Sequence, residues 1–180
     1  MRSDTAFMIP VFSHTVENWS DYKNEIIDMI DIGDGGDGHQ TDFFKYHQKS
    51  NLPPYAERLF DILQPALKEF DDIYPHAFQI TNVWCQKYNN GNYHQLHNHG
   101  ALGYSAILYA QLADDHSPTS FFAPYLDFIE GNVIEYVPEV NEGDIIFFPS
   151  CIKHQCKVVQ SQSERIIFSF NIKSHVLSEA

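Results

Sequence analysis

The stretch EGDIIFFPSCIKH, Glu142–His154, has the clearest structural logic in the chain. Gly143 and Asp144 are turn residues. Ile145–Phe148 form an apolar strand, and Pro149–Lys153 reverse the chain so that His154 opens the next strand. The surrounding sequence is of the same kind. AFQITNVWCQKY (77–88), YSAILYAQL (104–112), NVIEYVP (132–138), HQCKVVQ (154–160) and RIIFSFNIK (165–173) are short, aromatic or β-branched, and separated by turn residues. Several short strands spaced this way predict an all-β sandwich or barrel, here a β body over about residues 76–173.

The N-terminal half reads differently. FMIPVFS (7–13) is a short strand with an internal proline, hence an edge strand. In residues 17–31, Trp19, Tyr22, Ile26, Ile27 and Ile30 recur at helical spacing, with Glu17 or Ser20 at the start. Residues 53–70 form a second helix with Pro53 and Pro54 in its first turn and a stripe from Leu59 to Phe70. Pro65 is expected to kink or divide it. GDGGDG (33–38) matches a nucleotide-loop pattern only formally. No strand precedes it and its aspartates would repel phosphate, so it reads as a flexible loop. The expected plan is one domain over 1–180: a helical part at about 15–72 packed on the β body, with no internal repeat or linker.

Composition sets the outer bounds. At 43% hydrophobic, with 14 Phe and 10 Tyr, 180 residues can bury a core without staples. A formal charge of −13 argues against binding a nucleic-acid backbone through bulk electrostatics. Cys85, Cys151 and Cys156 form no CxxC pair and read as buried free thiols in a reducing compartment. No apolar run resembles a signal peptide or membrane span, so a soluble, cytoplasmic protein is expected.

Three of the ten histidines fall within YHQLHNHG, Tyr93–Gly100. If the stretch is extended, side chains alternate. Tyr93, Gln95, His97 and His99 then share one face, and His94 drops out as a ligand. His97 and His99 point the same way and begin a metal site, which needs a third ligand. His154 is the candidate, brought alongside by an antiparallel strand. Imidazole alone does not select among Fe, Zn, Cu and Ni.

The last signal is Arg165, opening the strand RIIFSFNIK. Arg165, Ile167, Ser169 and Asn171 share one face of that strand. An inward Arg requires an anion, because a buried lone charge is too costly. A surface Arg paired with one of the 24 acidic residues is the competing reading.

In order and spacing, His97-x-His99, GYSAILYAQL, EGDIIFFPSCIKH and ERIIFSFNIK resemble the iron(II)- and 2-oxoglutarate-dependent oxygenases. They look most like a branch found in phage and marine bacterial genomes. The resemblance covers about residues 80–173. It implies a double-stranded β-helix, a cupin-like jelly roll, with Fe(II) held by His97, His99 and His154 and catalysis at that centre. It also implies that Arg165 binds the distal carboxylate of 2-oxoglutarate and Tyr109 assists it, with Ser169 and Asn171 lining the same pocket. The implied reaction converts 2-oxoglutarate to succinate and CO2 while hydroxylating a small-molecule or peptide substrate. His99 stands where most relatives carry Asp or Glu, and Asp127 is the most plausible carboxylate from elsewhere. Residues 113–137 are expected to form a loop over the mouth. Two alternatives are a three-histidine cupin without 2-oxoglutarate and a non-catalytic jelly-roll binding module. The cupin would lack its usual Glu after HxH and would have no need of Arg165.

Overall fold

A computed structural model describes residues 8–32, 38–47, 51–73 and 78–174. The GDGGDG loop lies almost entirely outside the described residues.

Among the described residues, ten strands build two sheets. The larger has the order β1 (Phe12–Thr15), β8 (Asp144–Pro149), β5 (Tyr104–Gln111), β10 (Arg165–Ser174), β3 (Phe78–Tyr88) and β2 (Gln40–Thr41). The smaller has the order β4 (His94–His97), β9 (Lys153–Cys156), β6 (Ser120–Leu126) and β7 (Val133–Tyr136). Every strand pair is antiparallel. Two facing antiparallel sheets of this kind make a jelly-roll architecture.

Both faces of the large sheet are covered. Helices α1 (Trp19–Asp28) and α3 (Ala56–Ile73) pack Trp19, Ile26, Leu59, Leu63 and Phe70 against one face, where they meet Ile166, Phe168, Phe170 and Ile172 of β10. The other face meets the small sheet through Tyr88, Ile107, Tyr109, Phe121, Phe148 and Ile167. β5 and β8 therefore read as nearly unbroken apolar runs, since each side chain finds a core on its own side. Short helix α2 (Phe43–His47) lies over β3, with Phe43 against Trp84.

Several details depart from the sequence reading. The edge strand starts at Phe12, after Pro10 rather than across it. α1 is entered through Asn18 in a left-handed conformation (φ 55°), without a side-chain cap. Pro65 neither ends nor divides α3, which runs 18 residues. Residues 113–137 are not a loop, because they contain β6 and β7, which pair as a hairpin. Cys85 and Cys156 are buried, but Cys151 is exposed in the β8–β9 turn. Gly143 does occupy a turn: at φ +90° with Trp19 Cβ 2.8 Å from where its own Cβ would stand, only glycine fits.

Candidate metal centre

The site forms where β4 and β9 pair. His97 stands opposite His154 in the register. His99 lies just past the end of β4, fixed by its backbone N–H donating to the Ser150 carbonyl at 2.9 Å. One ligating atom from each of His97, His99 and His154 lies within 4.8 Å of the others. The ring centroids are 4.3 Å (97–154), 4.9 Å (99–154) and 5.3 Å (97–99) apart.

Hydrogen bonds orient the rings. His97 Nδ1 donates to the Gln95 carbonyl at 2.8 Å, and His154 Nδ1 to the Ile152 carbonyl at 3.0 Å. His99 Nδ1 lies 2.9 Å from Asn171 Oδ1 and 3.0 Å from Ser105 Oγ. A carbonyl only accepts, so Nδ1 carries the hydrogen and Nε2 presents its lone pair. Burial pushes the His154 imidazole down to about 3 and that of His99 down to about 4, with neighbouring His97 adding to both. Burial also lowers His97. Neutral imidazoles with outward Nδ1–H and inward Nε2 are what a metal requires. The Nε2 atoms of His97 and His99 face each other at 3.3 Å. Two lone pairs at that separation repel unless a cation lies between them, so the donor set fits a metal ion.

His94 corrects the alternation argument. His94 and His97 are three positions apart, but their partners Cys156 and His154 are only two positions apart. The resulting bulge turns His94 and His97 to the same side, with ring centroids 3.9 Å apart. His94 is not one of the three grouped donors. Its Nδ1 lies 3.0 Å from Gln86 Nε2, and burial followed by the charge of His97 drives its pKa down to about 2.

Arg165 is not the surface residue of the competing reading. It is 0% exposed, and no ion pair among the described residues includes it. Its guanidinium donates to Thr119 Oγ1 at 3.2 Å and Cys156 Sγ at 3.4 Å, and Nε has no partner. The rings of Tyr88 and Tyr109 lie 5.0 and 5.7 Å away. Thr119 and Cys156 line the same narrow cavity as the three histidines; at about 10 Å³ it has room for about one water. A buried, incompletely satisfied cation is costly, and a carboxylate would satisfy it.

The remaining expected residues divide. Tyr109 is fully buried and its hydroxyl accepts the Thr119 N–H at 3.4 Å. Ser169 donates to Gln86 Oε1 at 2.9 Å. Asn171 faces inward, but its amide oxygen is directed at His99 and Ser105. Asp127 is remote from the histidines in role: its carboxylate accepts the Ile129 and Glu130 N–H groups at 2.8 Å and caps the β6–β7 turn. Sequence reasoning missed Thr119 and Cys156. Cys156 was accessible in principle, two residues after His154 on one strand and therefore on the same face. Thr119 precedes β6 in a segment with no distinguishing pattern.

A profile of the 2OG-Fe(II) oxygenase family matches residues 82–171, which is half of the chain and includes every histidine of the triad and Arg165. No curated protein matches the sequence. Among solved structures, HygX from Streptomyces hygroscopicus, with nickel, 2-oxoglutarate and hygromycin B bound, superposes with a TM-score of 0.63 at 11% identity, covering 91% of this chain and 82% of its own. A Pseudomonas putida prolyl-4-hydroxylase gives 0.59 at 12% identity, covering 92% of each chain. The viral collagen prolyl hydroxylase of Paramecium Bursaria Chlorella virus-1 gives 0.59 at 16% identity, covering 90% and 94%. At these identities the superpositions speak for the fold.

Proposed function

The chain belongs to the 2OG-Fe(II) oxygenase family, and from that premise we propose that His97, His99 and His154 hold Fe(II) while Arg165 binds the far carboxylate of 2-oxoglutarate. The protein is an oxidoreductase of that family. Membership sets aside the cupin without 2-oxoglutarate and the non-catalytic module. Iron and 2-oxoglutarate, when bound there, would supply the oxidation: one atom of O2 would go into succinate as CO2 leaves, and the other into a substrate C–H bond to give a hydroxyl.

The observation that carries the assignment is the buried guanidinium of Arg165, without an acidic partner, beside a cavity lined by the three histidines. Three neutral imidazoles leave a divalent ion's full charge in place, which favours the anionic cosubstrate as a further ligand. Arg165 would fix the opposite end of the dicarboxylate, held in aim by the rings of Tyr88 and Tyr109. Because the cavity is narrow, a five-carbon dicarboxylate enters only as lining side chains give way. The contacts of Arg165 to Thr119 and Cys156 are the ones its carboxylate would replace. Phe121 and Phe148, with ring centroids 5.7 and 4.9 Å from His154, form the apolar wall that limits water at the site.

Hydroxylation of a small molecule or peptide is the reaction this arrangement supports. The helical part and β body act as one domain in this reading, since a single core joins α1 and α3 to β10. No helix among the described residues is long and apolar enough to cross a membrane. A cytoplasmic location and a place in the phage and marine-bacterial branch remain part of the proposal, resting on composition and motif order. Anaerobically iron-loaded protein supplied with 2-oxoglutarate and oxygen is expected to release succinate, and His97→Ala and His154→Ala to release none. Turnover surviving in either variant would overturn the ligand assignment.

A further inference from the structure

The β6–β7 hairpin carries an apolar surface that the chemistry above does not use. Its register fixes where it stands. Phe121 pairs with His154, which pairs with His97, so Phe121 is level with the histidines. β6 then runs on in the direction of His99, and at about 3.3 Å per residue Phe122–Leu126 carry the hairpin on the order of 15 Å past the triad.

This projection is built, not frayed. Asp127 Oδ1 accepts two backbone N–H groups of the tip, and the Asp127 N–H donates to the Asn132 carbonyl at 2.8 Å. The turn so fixed holds Phe128 and Ile129 in solvent at 95% and 80% exposure. Tyr125, Leu126, Val133, Ile134, Tyr136 and Val137 are exposed behind them. Contiguous apolar surface of this kind marks an interaction site.

Two further features define the occupant. Among the described residues β7 pairs only with β6, so its outer edge offers free backbone donors and acceptors, a template for an extended chain. Tyr136 pairs with Phe121, and Ile134 lies two residues along, so both belong to the face that carries Phe121 toward His154. Charge supplies the rest. Residues 113–139 hold six acidic residues and no Lys or Arg. Lys157, just after β9, offsets only Glu135, at 2.7 Å, and Glu139 is exposed at the far end of the edge.

We infer that the free edge of β7 takes up an extended cationic polypeptide as an added strand, its apolar side chains on the hairpin. The inference goes beyond the oxygenase reading and does not depend on it. Strand addition itself needs nothing but the edge, the apolar surface and the acidic charge.

The test uses the full chain, iron-loaded without oxygen, and three labelled decapeptides followed by fluorescence anisotropy. These are alternating Lys-Val, alternating Glu-Val, and Lys-Val with alternate backbone nitrogens methylated. The Lys-Val peptide is expected to bind at least about tenfold more tightly than either other. Ile134→Thr and Phe128→Ser, both at exposed positions, should each weaken it. Equal binding of Lys-Val and Glu-Val, no binding of either, or indifference to methylation overturns the inference. So does binding unchanged in both variants, which would mark diffuse charge attraction. A concentration-dependent dimer in sedimentation that Ile134→Thr abolishes would assign the edge to a second copy and overturn it as well. Succinate release without peptide reports on the iron site separately, so failure of strand addition and failure of the oxygenase reading are distinguishable.

Discussion

At the residue scale, the notable position is His99, a neutral donor where a carboxylate is usual among relatives of the sequence. Its ring is set by Asn171 and Ser105, which together fix the hydrogen on Nδ1. Such outer partners orient a ligand and raise its basicity, and losing one costs about 10- to 100-fold in metal affinity. Asn171→Ala is accordingly expected to weaken Co(II) binding by that factor in calorimetric titration, with the fold unchanged by circular dichroism. An unchanged affinity would mean that Asn171 has no part in holding the ring. The sequence made the HxH pair, His154 and the inward face of Arg165 legible, because each follows from strand alternation or motif spacing. It did not reveal His94 beside His97, because a bulge shifts the register by one residue without a glycine or proline to mark it. Nor did it reveal that Asn171 serves a histidine: alternation gives the face of a side chain, not its partner.

At the element scale, β10 was the most readable strand. Ile166, Phe168, Phe170 and Ile172 enter the helix-side core while Arg165, Ile167, Ser169 and Asn171 face the other way. In the β6–β7 hairpin β7 was legible as NVIEYVP, whereas β6 was the least readable strand, since Pro124 lies inside it and its second half is exposed, leaving no buried alternation to detect. α3 shows tertiary packing overriding a local breaker. Leu59, Leu63, Ala66, Leu67 and Phe70 are buried along one side, and Pro65 sits on the exposed side. The helix therefore persists at the cost of one backbone hydrogen bond. Pro65→Ala should restore that bond and stabilise the protein by up to about 3 kcal/mol, read as a higher urea midpoint with an unchanged slope. A lower midpoint would show that the proline ring contributes packing the helix needs.

At the scale of the whole molecule, two sheets and a helical layer divide the work. The helix-side core of α1, α3 and the outer face of the large sheet is mostly apolar, and its buried carboxylate, Asp42, is satisfied by the Tyr55 hydroxyl and the Cys85 N–H. The space between the sheets holds the polar groups: the histidines, Gln86, Ser169, Thr119 and, at its margin, Arg165. Placing the site's polar groups between the sheets lets the helix-side core stabilise the fold while the other carries chemistry that an apolar interior would not tolerate. The central claim is that this interior takes iron and 2-oxoglutarate together, with Arg165 as the anchor of the cosubstrate. The direct measurement is anaerobic titration of 2-oxoglutarate into Fe(II)-loaded protein, followed by visible absorption and by iron content, for the natural chain and for Arg165→Met. A weak charge-transfer band that saturates is expected in the natural chain. In the variant, with iron retained, the titration should shift by more than about 30-fold. Iron bound with no band in the natural chain, or the same titration in Arg165→Met, would contradict it.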